Sequence, residues 1–588
     1  MLTDVVQAVR GKVPFDLLIE NVQTVNVYNS SIAPGCIGVV GEHIVYVGPL
    51  EPDLQGRRVI DGRGRYALPG FVDCHMHLES SMLTPAHFAR VALCCGTTTV
   101  AADPHEIGNV MGLEGVRALA EACRGLPLRA HIMAPSTIPS APGFEDSGYT
   151  VGPGEVERLL DLPGVCGLGE VMDFNGVADG EAHILSVVES ARRRHCILDG
   201  HASLLTGRRL QAFRAVGIDS DHTTNCAEKL REELALGFTV QVQESMLSEE
   251  MVRAMNEAPV QDRICLVTDD VPLPRLMRDG HLNHVVEKAV SLGLDPVRAV
   301  RFATVNAAQR MRLYDVGGIA PGMVADIQLV EDLRHPHPAL VLRAGEPVVE
   351  EGRFLPDLPE DIPESLRNNT LHLAPVTEKD FQVAVPAPAG FPGGNGTANL
   401  IWQDGVSVRT KRVQAPVRLD EERDGVALAH TEPWLKMAVF NRYGKPQRGL
   451  ALVGGMDHVD GAAALTYGHD CHNLTVFGGN DRDMTVAANA LRETGGGLCA
   501  AREGKVCSLI PLPLAGLMCD TPPEELLERL EVFLEQCRRM GFAHANLLTF
   551  FTVMPLAVSP EIKCTDRGLL DVANKRFLPL IELGKEEG

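Results

Sequence analysis

Aromatic side chains are scarce in this chain: they make up 5% of 588 residues, with only two tryptophans, so no base-stacking platform is evident. Basic charge is also in short supply. Lys and Arg number 54 against 77 Asp and Glu, a formal net charge of −23. That balance argues against a nucleic-acid partner, which needs a basic face to meet phosphates. It favours a protein with a small-molecule substrate. The 15 cysteines are scattered, odd in number and often set in apolar runs such as Ala92-Leu93-Cys94-Cys95. They read as small buried hydrophobes in a reducing compartment, not as a disulfide framework. The longest apolar stretch, Leu547 to Val558, contains Thr and Pro and is too short to cross a bilayer. Met1 to Arg10 lacks the apolar core of a signal peptide. The expectation is a cytoplasmic location and no membrane partner.

What remains is ordinary globular composition, 45% hydrophobic and 22% charged, at a length that suits about three or four domains. Short β-branched runs separated by Gly, Pro and Asn fill residues 1–66. Similar runs return over 315–355. Together they are expected to form a small β domain, a sandwich built from both flanks. Between them, over 67–314, eight strand-like runs recur, each followed by a helix-length stretch. They are Phe71 to His77, Thr97 to Asp103, Leu128 to Pro135, Gly164 to Glu170, His195 to His201, Gly217 to His222, Gly237 to Gln243 and Arg263 to Asp269. Eight βα units in about 250 residues match a (β/α)8 barrel, with a doubly wound open sheet as the competing fold. Residues 356–398 are rich in Pro and Gly and read as a linker. A further α+β domain is expected over 399–588.

The chemistry-bearing residues stand at the ends of these runs. His75 and His77 are two apart on one strand and face the same side. Glu170 ends the fourth run, His201 the fifth, His222 the sixth and Asp269 the eighth. Barrel active sites are built from C-terminal strand ends, and six imidazole or carboxylate groups suffice for two divalent transition metals. Taken singly, His201 and His222 also read as core histidines, and Glu170 as a structural carboxylate. Strand alternation points Asp269 and Asp270 in opposite directions unless the strand has ended. No lysine occurs between Val13 and Glu228, so a lysine-derived bridge between two ions is excluded on the fourth strand. A bridging role falls to Glu170.

Several runs carry a resemblance. Pro69-Gly70-Phe71-Val72-Asp73-Cys74-His75-Met76-His77 is similar to the amidohydrolase superfamily. Leu78-Glu79-Ser80-Ser81, Asp103-Pro104-His105-Glu106-Ile107, Gly169-Glu170-Val171-Met172, Asp199-Gly200-His201-Ala202 and Thr268-Asp269-Asp270 resemble the adenine deaminase family within it. So does His469-Asp470-Cys471-His472-Asn473 in the last domain. The resemblance implies hydrolysis of adenine to hypoxanthine and ammonia, with two divalent ions, Mn²⁺ or Fe²⁺ and less readily Zn²⁺, held by His75, His77, Glu170, His201, His222 and Asp269. It implies a purine base as partner and a homodimer or larger assembly. Asp269 and His222 are read as catalytic, with Asp269 the proton shuttle. Glu106 and Glu244 are alternative proton donors to the ring, each equally open to a structural role. Asp270, Glu244, His469 and His472 are candidates for binding substrate. The His469–Asn473 run is open to three readings: a lid, a structural loop or an incidental metal site.

Three positions depart from the family pattern: Thr223 where Glu is common, the Gln241–Ser245 run with Gln243 where Arg is common, and Cys471 where Ser is usual. They bear on substrate identity more than on reaction class. Two other functions compete: a hydrolase of cyclic amides or N-acetyl groups, and a non-catalytic scaffold.

Overall fold

The first strand of the expected barrel, β1, runs Phe71–His77 in a computed structural model that describes residues 2–358, 362–385, 394–403, 405, 409–422, 425–429, 434–456 and 458–583. Every residue of β1 is buried, as is every residue of β2, Thr97–Ala102. That pattern fits strands covered on both faces, where the sequence reads as a continuous apolar or Thr-rich run. The series continues with β3 (Arg129–Ala134), β4 (Val165–Val171), β5 (Ile197–Gly200), β6 (Ser220–Asp221), β7 (Thr239–Val242) and β8 (Ile264–Leu266). A two-residue strand, β9 (Asp269–Asp270), pairs in parallel with β1 through Asp269↔Met76 and Asp270↔His77. Chain order and strand order agree around the ring, and helices follow the strands, as in a (β/α)8 barrel.

Two seams differ from a regular ladder. Strands β1 to β5 and β6 to β8 form separate parallel runs, with no backbone ladder between β5 and β6 among the described residues. Side chains close that seam. Ala202 N–H donates to Asp221 Oδ1 at 2.8 Å, and Gly200 N–H donates to Ser220 Oγ at 3.2 Å. The buried Arg310 guanidinium donates to Leu198 O at 3.0 Å and Ser220 Oγ at 2.9 Å. The second seam lies between β8 and β9, where Asp269 takes a left-handed backbone with φ 57°.

The two flanks meet in one continuous nine-stranded sheet. Ile327–Asp332 pairs antiparallel with Tyr66–Pro69, which pairs in parallel with Phe15–Asn26. Leu17, Ile19, Ile37, Ile327, Leu329 and Leu342 share its core.

By internal packing the chain divides into two compact units. One comprises residues 1–104, 119–136 and 152–362; the other comprises 105–118, 137–151 and 363–588. Two stretches inside the 67–314 segment thus group with the C-terminal residues. The second unit carries an eleven-stranded sheet, with helices Asp481–Thr494 and Pro523–Arg539. The linker reading of 356–398 needs correction. Leu371, Val376 and Phe381 are buried in a core with Phe440, Val476 and Leu491, and strand Gly394–Gln403 has begun before 398. Residues 359–361 and 386–393 of that stretch lie outside the described residues. Among the described residues, no helix is long and apolar enough to cross a membrane.

Candidate metal centre

His75, His77, Glu170, His201, His222 and Asp269 come together at the C-terminal ends of β1, β4, β5, β6 and β9. In each of the sets His75/His77/Glu170, His75/His222/Asp269 and Glu170/His201/His222, the donor atoms lie within 4.8 Å of one another. Glu170 is central. Its Oε2 is 2.6 Å from His201 Nδ1 and 3.3 Å from His222 Nε2, and its Oε1 is 3.3 Å from His77 Nε2. Asp269 Oδ1 is 3.2 Å from His77 Nε2 and 3.5 Å from His75 Nε2. The His75 and His222 rings stack with centroids 3.8 Å apart.

Two imidazoles are oriented from behind. His75 Nδ1 donates to Asp199 Oδ2 at 2.7 Å, and His77 Nδ1 donates to the Asp103 carbonyl at 3.0 Å. Both leave Nε2 for the cluster, the arrangement that fixes tautomer and aim in metal-binding histidines. Asp103 also accepts the Glu170 N–H on Oδ2 at 2.8 Å. That approach needs Gly169: a Cβ there would fall 2.2 Å from Asp103 Oδ2. Asp199 and Asp103 were not singled out as site residues. Asp199 carried a signal, since it stands two residues before His201 and so faces the same side.

Electrostatics show what the cluster wants. Burial opposes charge on His75 and His77, yet the surrounding carboxylates outweigh it and hold both well above the ordinary imidazole range. Burial likewise opposes ionisation of Glu170 and Asp269, and the imidazoles outweigh it, holding both well below the usual carboxylate range. The carboxylates stay ionised and draw positive charge inward. His75 Nε2 and His222 Nδ1 are buried without a hydrogen-bond partner. Unpartnered imidazole nitrogens beside ionised carboxylates fit divalent transition metals.

Asp270 departs from strand alternation. The left-handed backbone of Asp269 interrupts the extended alternation, and His77, Asp269 and Asp270 place donor atoms within 4.8 Å of one another. Ser80 Oγ donates to Asp270 Oδ1. Glu244 stands in an ion cluster. Its carboxylate is taken by Arg275 at 2.6 Å, Lys288 at 3.1 Å and His284 at 3.3 Å, and these partners, His284 foremost, bring its pKa down to about 2. These partners occupy both oxygens of the carboxyl that the sequence offers as a proton donor. Thr223 bonds Asp221 Oδ1 through its N–H at 3.1 Å and its hydroxyl at 2.6 Å.

In the second unit, Glu106 is buried between His469 and His472. His469 Nδ1 is 2.6 Å from Oε1, and His472 Nε2 contacts Oε2. Burial pushes Glu106 up, but His472 and His469 outweigh it and hold the carboxyl well below its usual range. Both Glu106 oxygens are thus taken up by imidazole contacts. Burial, with Glu145 adding, pushes the Cys471 thiol well up, so it offers no thiolate.

Comparisons with known proteins agree with this geometry. The family model described as "Amidohydrolase family" matches residues 66–354, and "Adenine deaminase C-terminal domain" matches 407–576. A protein named adenine deaminase from Nitratidesulfovibrio vulgaris (strain DP4) is 36% identical over 582 residues, covering 98% of each chain. One from Moorella thermoacetica is 36% identical over 588 residues, with 98% of each chain covered. One from Kosmotoga olearia is 34% identical over 591 residues, with both chains covered in full. With a carboxylate-centred cluster of candidate metal ligands in the barrel and likeness along its whole length, the chain belongs to the adenine deaminase family of the amidohydrolases.

Proposed function

We propose that this chain hydrolyses adenine to hypoxanthine and ammonia. The observation that carries the reading is the cluster itself: four imidazoles, Glu170 and Asp269 at barrel strand ends, in a chain related end to end to proteins named adenine deaminase. His75, His77, Glu170, His201, His222 and Asp269 would hold two divalent ions, and Mn²⁺ or Fe²⁺ suits the donors as Zn²⁺ also does. Bound there, such ions lower the pKa of water and so supply a nucleophile at neutral pH.

The chain's own groups do the rest. Asp269, held ionised, takes the proton of the attacking water as the oxygen–C6 bond forms. It returns that proton to the amine as the C6–N bond breaks and ammonia departs. His222, stacked on His75, contributes as a ligand and steadies the developing charge. Asp270, held by Ser80, accepts a hydrogen bond from the purine. Within its own unit, Glu106 accepts from His469 and His472. The departures at Thr223, Gln243 and Cys471 leave all six ligand positions intact, which supports catalysis over a scaffold role.

Ammonia release from adenine, other aminopurines and a panel of cyclic amides tests the reading, using Mn²⁺-loaded protein. Adenine should be the preferred substrate. Turnover of a cyclic amide with none of adenine would replace this function with the competing hydrolase.

A further inference from the structure

Gln243 follows β7 and spans three strand ends. Its Nε2 donates to Asp269 Oδ2 at 2.6 Å and to the His222 carbonyl at 3.2 Å, while its Oε1 accepts from Ser245 Oγ at 2.7 Å. Only one orientation of the amide works. Reversed, Oε1 would face a carboxylate and a carbonyl, both acceptors. Gln243 is thus a fixed donor aimed at one oxygen of Asp269.

The two Asp269 oxygens are unlike. Oδ1 faces His75 and His77, and Oδ2 takes the Gln243 N–H. With its left-handed backbone, Asp269 departs from extended geometry, so strand alternation does not set its side-chain direction. A carboxyl oxygen has two lone pairs. Gln243 engages one on Oδ2, and the other is left for a proton.

We propose that Gln243 is a positioning residue for proton transfer by Asp269: it sets the rotation of the carboxylate, keeping Oδ1 with His75 and His77 and one Oδ2 lone pair open to the proton of the attacking water. Gln243 gives up no proton itself; the proton passes from water oxygen to Oδ2 and on to the departing amine nitrogen. This inference rests on the deamination reading, and it makes the unusual Gln243 a participant in the chemistry through Asp269.

The test is a set of variants assayed with adenine at matched metal content. Gln243→Met keeps length and loses the donor. It should lower kcat by roughly 10–100-fold, the usual effect of losing a group that orients a metal ligand, with little change in KM. Gln243→Arg restores an N–H donor and should recover much of the loss. Ser245→Ala frees the amide and should lower kcat less. In the double variant Gln243→Met with Asp269→Asn, turnover should match Asp269→Asn alone, because Gln243 acts through that carboxylate. Wild-type kcat in Gln243→Met would overturn the inference while leaving the deamination reading standing. So would losses that multiply in the double variant. Absence of ammonia from the wild type itself would remove the deamination reading and this inference together.

Discussion

Asp199 Oδ2 and His75 Nδ1 lie 2.7 Å apart, both buried, one from β5 and the other from β1. This contact fixes the His75 tautomer, and Asp199 is itself held by Arg310 at 3.3 Å and by the Ser220 hydroxyl. The β5–β6 seam and the orientation of a candidate ligand therefore depend on the same carboxylate.

Asp199→Asn keeps the size but removes the charge behind His75. Divalent-metal affinity, measured by competition with a chelator, should weaken by about 10–100-fold. Unchanged affinity would show that His75 needs no such support.

Glu170→Gln should lower metal content and adenine turnover together, because the buried amide cannot replace an ionised carboxylate facing three imidazoles. Elemental analysis beside ammonia release checks this. Full metal occupancy with normal turnover would make Glu170 merely structural.

Asp269→Asn and Asp270→Asn should fail differently at matched metal content. The first should cost about 10²–10⁴-fold in kcat, as for loss of a general base. The second should act chiefly on KM and on the choice among aminopurines. Loss of turnover in Asp270→Asn with Asp269→Asn intact would reverse the assignment.

Stability should carry its own pH signature. Burial, with Asp470 adding, raises the Glu145 pKa from 4.5 to about 7. The folded chain thus keeps a proton that the unfolded chain has lost across that window. Stability from this group falls as pH rises through the window, and the penalty is complete above it. Glu145→Gln retains an acceptor for the Ser140 hydroxyl and the Ala141 N–H, which lie 2.6 and 2.9 Å from Oε1. Its Tm should equal that of the wild type near the acid end and exceed it by about 2 °C at roughly pH 8. A difference that does not grow with pH would contradict the assignment.

The six candidate ligands were legible because strand ends leave a local signature: apolar or Thr-rich runs that stop at His, Glu or Asp. Asp199 was half legible, through its spacing from His201. Other features depend on residues far apart in sequence. The partners of Glu244 are Arg275, His284 and Lys288, on two helices 31 to 44 residues further on, and no local pattern announces them. The left-handed conformation of Asp269, which brings Asp270 to His77, follows from closure of the barrel onto β1. The 356–398 stretch misled because Pro and Gly mark turns, while Leu371, Val376 and Phe381 between them fill a core formed by later strands.

Titration of metal-free protein with Mn²⁺, following hypoxanthine formation from adenine, tests the central claim most directly. Activity should rise from near zero and level off at about two ions per chain, which six donors, Glu170 among them, suffice to hold. A plateau at one ion with full activity, or no hypoxanthine at any loading, would contradict it.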